Sequence, residues 1–172
     1  MSCFLPAAVS WDTSNTNARI DAICRISNQE VQRSLQHFAW PAPCRKLSSN
    51  NGGRNGKVYR LDAFSIMPNH SHVVFKPLTH PDSSITAIDQ TEQIYYSLAS
   101  IMQSLKGFTA HACNSLLQRA GEFWAHESYD HYIRDQEEWD RVVAYVINNP
   151  VKAGYVSEWR KWKWNYRRSS ST

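Results

Sequence analysis

Three features of this 172-residue sequence predict a single α+β domain ending in a basic, aromatic segment. Residues 59–75 alternate with period two, as strands do. Residues 91–117 and 136–149 repeat their apolar positions at helical spacing. Strand and helix patterns are interspersed along the chain, without repeats or low-complexity blocks. At 42% hydrophobic and 20% charged, the composition is that of a chain with a real core, not a disordered or fibrous one.

The elements follow in order. Phe4–Thr13 has strand composition and is the expected first strand, although Pro6 interrupts it. Residues 28–39 place Val31, Leu35 and Phe38 at helical spacing. Residues 41–57, PAPCRKLSSNNGGRNGK, carry two Asn-Gly pairs and read as an exposed linker. In the next segment Tyr59, Leu61, Ala63 and Ser65 alternate against Arg60, Asp62, Phe64 and Ile66. Pro68-Asn69 turns the chain, and His70–Phe75 resumes the extended pattern, so two strands are joined by a tight connection. Over 91–117, Ile94, Leu98, Ile101, Met102 and Leu105 form one stripe, which Gly107 could divide. EFWAHESYDHYI reads as a further strand. The last helix opens on Asp135 as N-cap with Glu138 completing a capping box, and shows Trp139, Val142, Val143 and Val146 on one stripe. Asn148-Asn149-Pro150 is expected to stop it.

Charge is informative through its position. Residues 157–172, SEWRKWKWNYRRSSST, hold Arg160, Lys161, Lys163, Arg167 and Arg168 against Glu158 alone. The formal excess of +4 therefore lies in this segment, and residues 1–156 are balanced. Trp159, Trp162 and Trp164 lie there too, so a neutral body, 1–156, is followed by a cationic, aromatic tail suited to nucleic acid or an anionic membrane. No apolar run reaches the ~18–20 residues of a membrane span, and MSCFLPAAVS lacks the basic start of a secretory signal. Cys3, Cys24, Cys44 and Cys113 have neither zinc-finger nor disulfide-framework spacing, which favours reduced thiols.

Two pairs of residues could carry chemistry. His70 and His72 stand at i and i+2, so on a strand both imidazoles face one side and can share a cation. With seven histidines, about 0.3 such pairs arise by chance, so the pair alone does not identify a metal site. Tyr145 and Asn149 stand at i and i+4 on the last helix, at the edge of its apolar stripe. By itself that pattern reads more simply as a boundary tyrosine and a helix-end cap. His126-Glu127-Ser128 fits one His-x-Ser element of two-histidine phosphoesterases, which need two. No Gly-rich phosphate loop is present, and Lys106-Gly107 is a candidate phosphate contact only.

Taken together, IMPNHSHVVF, SLKGFTA, FWAHESYDHYIRD and YVINNPVKAGYV resemble, in order and spacing, the REP-associated tyrosine transposases, a branch of the single-tyrosine HUH transposases. The resemblance spans roughly Tyr59 to Tyr155. It implies a ferredoxin-like antiparallel sheet packed by helices, with the two-histidine strand central. It further implies Tyr145 as nucleophile and His70, His72 and Asn149 as ligands of a divalent metal, Mg2+ or Mn2+. Lys106 and Lys152, with Arg160, Lys161, Lys163, Arg167, Arg168, Trp162 and Trp164, are the residues expected to contact DNA. The chain departs from the family at Ser71, normally a bulky hydrophobic residue, and in its ending, WRKWKWNYRR in place of Trp-Pro-Trp-Ser.

The implied activity is cleavage and rejoining of single-stranded, hairpin-bearing DNA through a 5′-phosphotyrosine, by a monomer or homodimer in the bacterial cytoplasm at the nucleoid. Five tail cations would give a salt slope of up to about −3.5 at roughly −0.7 per phosphate. The competing readings are a catalytically silent hairpin-DNA binder and a peripheral membrane protein, the latter disfavoured because no long amphipathic helix precedes the tail. Tyr129, Tyr132 and Tyr155 are the alternative nucleophiles.

Overall fold

In the computed structural model, residues 19–26, 54–81 and 95–169 are described. The expected strand Phe4–Thr13 and helix 28–39 lie outside them, as does most of the expected linker.

Alternation builds the first element. Ile20, Ala22, Cys24 and Ile26 are buried on one side of β1 (Arg19–Ile26), while Arg19, Asp21, Ile23 and Arg25 take the other. β2 (Tyr59–Ile66) and β3 (His70–Pro77) form a hairpin around Pro68-Asn69, closed by the Met67 N–H donating to the His70 carbonyl at 2.8 Å. α1 (Leu98–Leu116) is capped by Ser97, whose hydroxyl accepts the Ser100 N–H, and runs unbroken through Gly107. β4 (Trp124–Ile133) and α2 (Gln136–Lys152) follow, then a 3-10 turn at Trp159–Lys161 and β5 (Asn165–Arg167).

The five strands pair antiparallel in the order β4-β1-β3-β2-β5, so the two-histidine strand is central, as expected of a ferredoxin-like α+β fold. Two apolar clusters sandwich the sheet. Ile101, Met102, Leu105 and Cys113 of α1 pack with Ile20, Ala22, Phe64, Val73 and Phe75. Val143, Val146 and Ile147 of α2 pack with Ala63, Val74 and Ile133.

Three local expectations are corrected. Strict alternation would put Tyr59, Leu61, Ala63 and Ser65 on one face. A β-bulge between Leu61 and Ala63 exchanges the faces, so Tyr59 and Leu61 join Phe64 and Ile66 in the α1 cluster while Ala63 packs against α2. Asp62, the extra residue, is 3% exposed and carries its charge among Arg60, Arg19 and Arg168 at 3.3, 3.4 and 3.9 Å.

Asp135 does cap α2, accepting the Glu138 N–H at 2.7 Å. Glu138, however, reaches past the N-cap to the Arg134 N–H at 2.7 Å and to His131 Nε2 at 2.9 Å, which hold its carboxyl below the usual carboxylate range. Nor does Pro150 end α2, which continues to Lys152. The stop comes from Gly154 at φ +75°, with Gly154 N–H donating to the Val151 carbonyl and Tyr155 N–H to the Pro150 carbonyl, a Schellman closure.

The C-terminal segment read as a tail is woven into the sheet. β5 pairs with β2 through Ala63, Phe64 and Ser65, and the Asn165 amide donates to the Ile147 and Trp159 carbonyls. Trp164 is 6% exposed and belongs to the α1-side core.

Candidate functional site

The alternation of β3 sends His70, His72 and Val74 toward the α2 face. α2 packs there by Val143, Val146 and Ile147, which leaves Tyr145 on its flank, 48% exposed and beside the histidines. The His70 and His72 ring centroids are 5.2 Å apart, and the Tyr145 ring stands edge-on to His72 at 5.6 Å. All three line one open pocket of about 510 Å³, together with Ile23, Arg25, Ile26 and Asn69. The sheet therefore brings the two histidines and the tyrosine together from positions more than seventy residues apart.

Electrostatics favour neutral imidazole. Burial, with His72 and Arg25 as neighbours, pushes His70 from 6.5 down to about 4, so at neutral pH its ring is uncharged and keeps one bare nitrogen available as a ligand. Its Nδ1 lies 2.6 Å from Asn69 Oδ1. His72, 2% exposed, has its Nδ1 3.7 Å from Asp21 Oδ1. On the exposed side of Tyr145 the Lys152 ammonium sits 4.5 Å from the ring centroid, a cation–π contact at the last residue of the helix.

Asn149, half-buried one turn beyond Tyr145, is not among the residues lining the pocket. Among the described residues no group of three or more His, Cys, Asp and Glu side chains gathers as a cation site. The donors that do fit a divalent cation are the two imidazoles on one strand face, and the open pocket leaves room beside them for water or a phosphate oxygen.

The residues expected to contact DNA fare differently. Lys106 is spent inside the protein, donating to the Ala125 and His126 carbonyls at 2.7 and 3.2 Å and so tying α1 to β4. Trp164 is buried, so its faces are not open to a base. Trp162 is half-buried, its indole N–H donating to the Ile66 carbonyl at 3.0 Å and its ring 5.4 Å from that of Tyr155, which is exposed. Arg160 stacks over Trp159 at 4.5 Å. Lys161 bonds Ser157 and Glu158, and Arg168 faces Asp62. Lys163 and Arg167 are exposed.

Arg25 is a pocket residue that sequence reasoning missed. It is the cross-strand partner of His70 and brings a cation to the pocket wall. The polar positions of β1, Arg19, Asp21 and Arg25, fall in strict register with its apolar ones, and that alternation is the signal that would have found it.

No family model and no curated protein matches the sequence. Among solved structures, the chain is similar to a candidate transposase from Deinococcus radiodurans R1, at 15% identity and a TM-score of 0.39 over 76% of this chain and 88% of that one. It is also similar to a REP-associated tyrosine transposase bound to a REP hairpin, at 18% identity and a TM-score of 0.58 over 86% of this chain and 75% of that one. The antiparallel α+β architecture built above is thus the fold of that REP-associated tyrosine transposase.

Proposed function

We propose that this chain is a single-tyrosine DNA strand transferase that cuts and rejoins single-stranded DNA carrying a hairpin. The observation that carries the reading is the convergence of Tyr145 with His70 and His72 on one open pocket. The solved structure sharing the fold is bound to a REP hairpin, which supports a hairpin as the DNA partner.

In this reading the Tyr145 hydroxyl oxygen attacks a backbone phosphorus. A P–O bond to tyrosine forms, the P–O3′ bond breaks, the phenolic proton leaves, and the released 3′ oxygen takes up a proton as a free hydroxyl. The product is a 5′-phosphotyrosine, and attack by a 3′-hydroxyl reverses the step, so one phosphodiester is exchanged for another without ATP. A phenol becomes a strong nucleophile only as it gives up its proton and takes on negative charge. Lys152, held over the Tyr145 ring, and Arg25, at the pocket wall, are the cations placed to offset that charge and the phosphate's. His70 and His72 would hold Mg2+ or Mn2+, which when bound would supply Lewis-acid stabilisation of the phosphate's developing charge.

Incubation with end-labelled single-stranded hairpin DNA and Mn2+ tests the proposal. Wild-type protein is expected to form a covalent adduct, and Tyr145→Phe to form none while still binding the hairpin. An adduct retained in Tyr145→Phe would overturn the nucleophile assignment. Hairpin binding without an adduct in either protein would mark the chain as a silent DNA binder, a reading favoured by the position of Asn149 outside the pocket lining.

A further inference from the structure

The α2 face of the sheet holds a polar group that nothing above employs. Asp21, 7% exposed, lies on β1 between Arg19 and Ile23 and is diagonal to His72, since Asp21 pairs with Val74 and Ile23 with His72. Its Oδ1 and His72 Nδ1 are both buried without a hydrogen-bond partner, and they face each other at 3.7 Å. Two orphaned, complementary polar atoms side by side in a core require an explanation, because each left unpaired is costly.

Two of the basic groups near Asp21 are engaged elsewhere. His131, the cross-strand partner of Asp21, has its Nε2 on Glu138 at 2.9 Å. Arg19 is directed to Asp62 and to Gln136. His72 is the basic group that the Asp21 carboxylate faces. The gap exceeds hydrogen-bond length, but the terminal torsions of Asp and His are broad, and a small rotation of either closes it.

We propose that Asp21 is a positioning residue for His72. Its carboxylate accepts the His72 Nδ1–H, which fixes the imidazole as the Nδ1–H tautomer and leaves the Nε2 lone pair as the ligand atom. A carboxylate behind a histidine ligand sets ring orientation and raises basicity. Asn69 holds the corresponding place for His70, its Oδ1 2.6 Å from His70 Nδ1. Each histidine of the pair thus has an acceptor of its own at Nδ1, one from the hairpin turn and one from the neighbouring strand. The inference rests on the metal-binding part of the proposed function, and its test separates the two.

Ring 15N chemical shifts of His72 in the metal-free protein report the tautomer directly. Wild type is expected to show Nδ1–H with a bare Nε2, and Asp21→Ala a shift toward Nε2–H. By titration calorimetry Asp21→Ala should bind Mn2+ about 10–100-fold more weakly, the usual effect of losing such a partner. An Nε2–H tautomer in wild type, or an unchanged tautomer in Asp21→Ala, overturns the assignment. Should Asp21→Ala not fold, the near-isosteric Asp21→Asn is read in the same way, with a mixture of tautomers expected and a single unchanged one overturning the proposal. If wild type binds no Mn2+, the metal-dependent function fails, while the metal-free tautomers still decide the role of Asp21.

Discussion

His70 is chemically useful because it is uncharged, and that condition has a cost in stability. Burial, His72 and Arg25 depress its folded value to about 4 from 6.5. Between those two pH values the unfolded chain carries a proton at this site that the folded chain does not, so stability rises with pH. The contribution is intact above 6.5, erodes as pH falls through the window, and levels off below about 4. Metal-free His70→Gln is therefore expected to lose less stability between pH 7 and 5 than wild type, measured by denaturant unfolding at each pH. An equal loss would show that other groups dominate acid sensitivity. The same scale explains why the site was half legible from sequence. His70, His72 and Tyr145 stand out as candidates by residue type and spacing on single elements, and only the resemblance of four motifs in order singles them out. The alternation of β1 puts Arg25 and Asp21 on one face, but which histidine each one meets depends on strand pairing, which no local pattern displays.

At the scale of elements, α2 does most to define the site, since its packing sets where Tyr145 stands. Pro150 is expected from sequence to stop it, because proline lacks the N–H that would pair with the carbonyl four residues back. Its burial in the α2 interface outweighs that loss, and the helix ends at a signal that sequence does offer, Gly154. A Cβ at Gly154 would meet nothing within 4 Å, so substitution costs only the left-handed backbone, φ +75°. Gly154→Ala should therefore lower stability by about 1 kcal/mol, with adduct formation preserved in the folded protein. A neutral substitution, by thermal or denaturant unfolding, would mean that the Schellman closure contributes nothing. The bulge at Asp62 is the opposite case. Nothing in YRLDAFSI distinguishes an unbroken strand from one that exchanges faces midway, because the choice depends on where Arg19, Arg60 and Arg168 can meet the carboxylate.

For the molecule as a whole, the excess of +4 concentrated after residue 156 has a different consequence once β5 joins the sheet. An aromatic, cationic stretch has one composition whether it tracks DNA or closes a sheet edge, and this one closes an edge with Trp164 in the core. Deleting it would uncover Phe64 and Ile66 on β2, so loss of DNA binding by a chain ending at Val156 would report unfolding as much as missing charge. The cations themselves are unequal. Lys161 and Arg168 already face Glu158 and Asp62, and Arg160 lies over Trp159, whereas Lys163 and Arg167 are exposed at the β5 edge. Replacing Lys163 and Arg167 together by Gln is therefore the informative change. It should leave the melting temperature within a degree or two, as exposed substitutions do. It should also flatten the dependence of log K on log salt for a single-stranded hairpin by about 1.4, at roughly 0.7 for each phosphate no longer neutralised. An unchanged slope at unchanged stability would remove the β5 edge from the DNA path and leave Lys152 and Arg25, beside Tyr145, as the cations that meet the backbone.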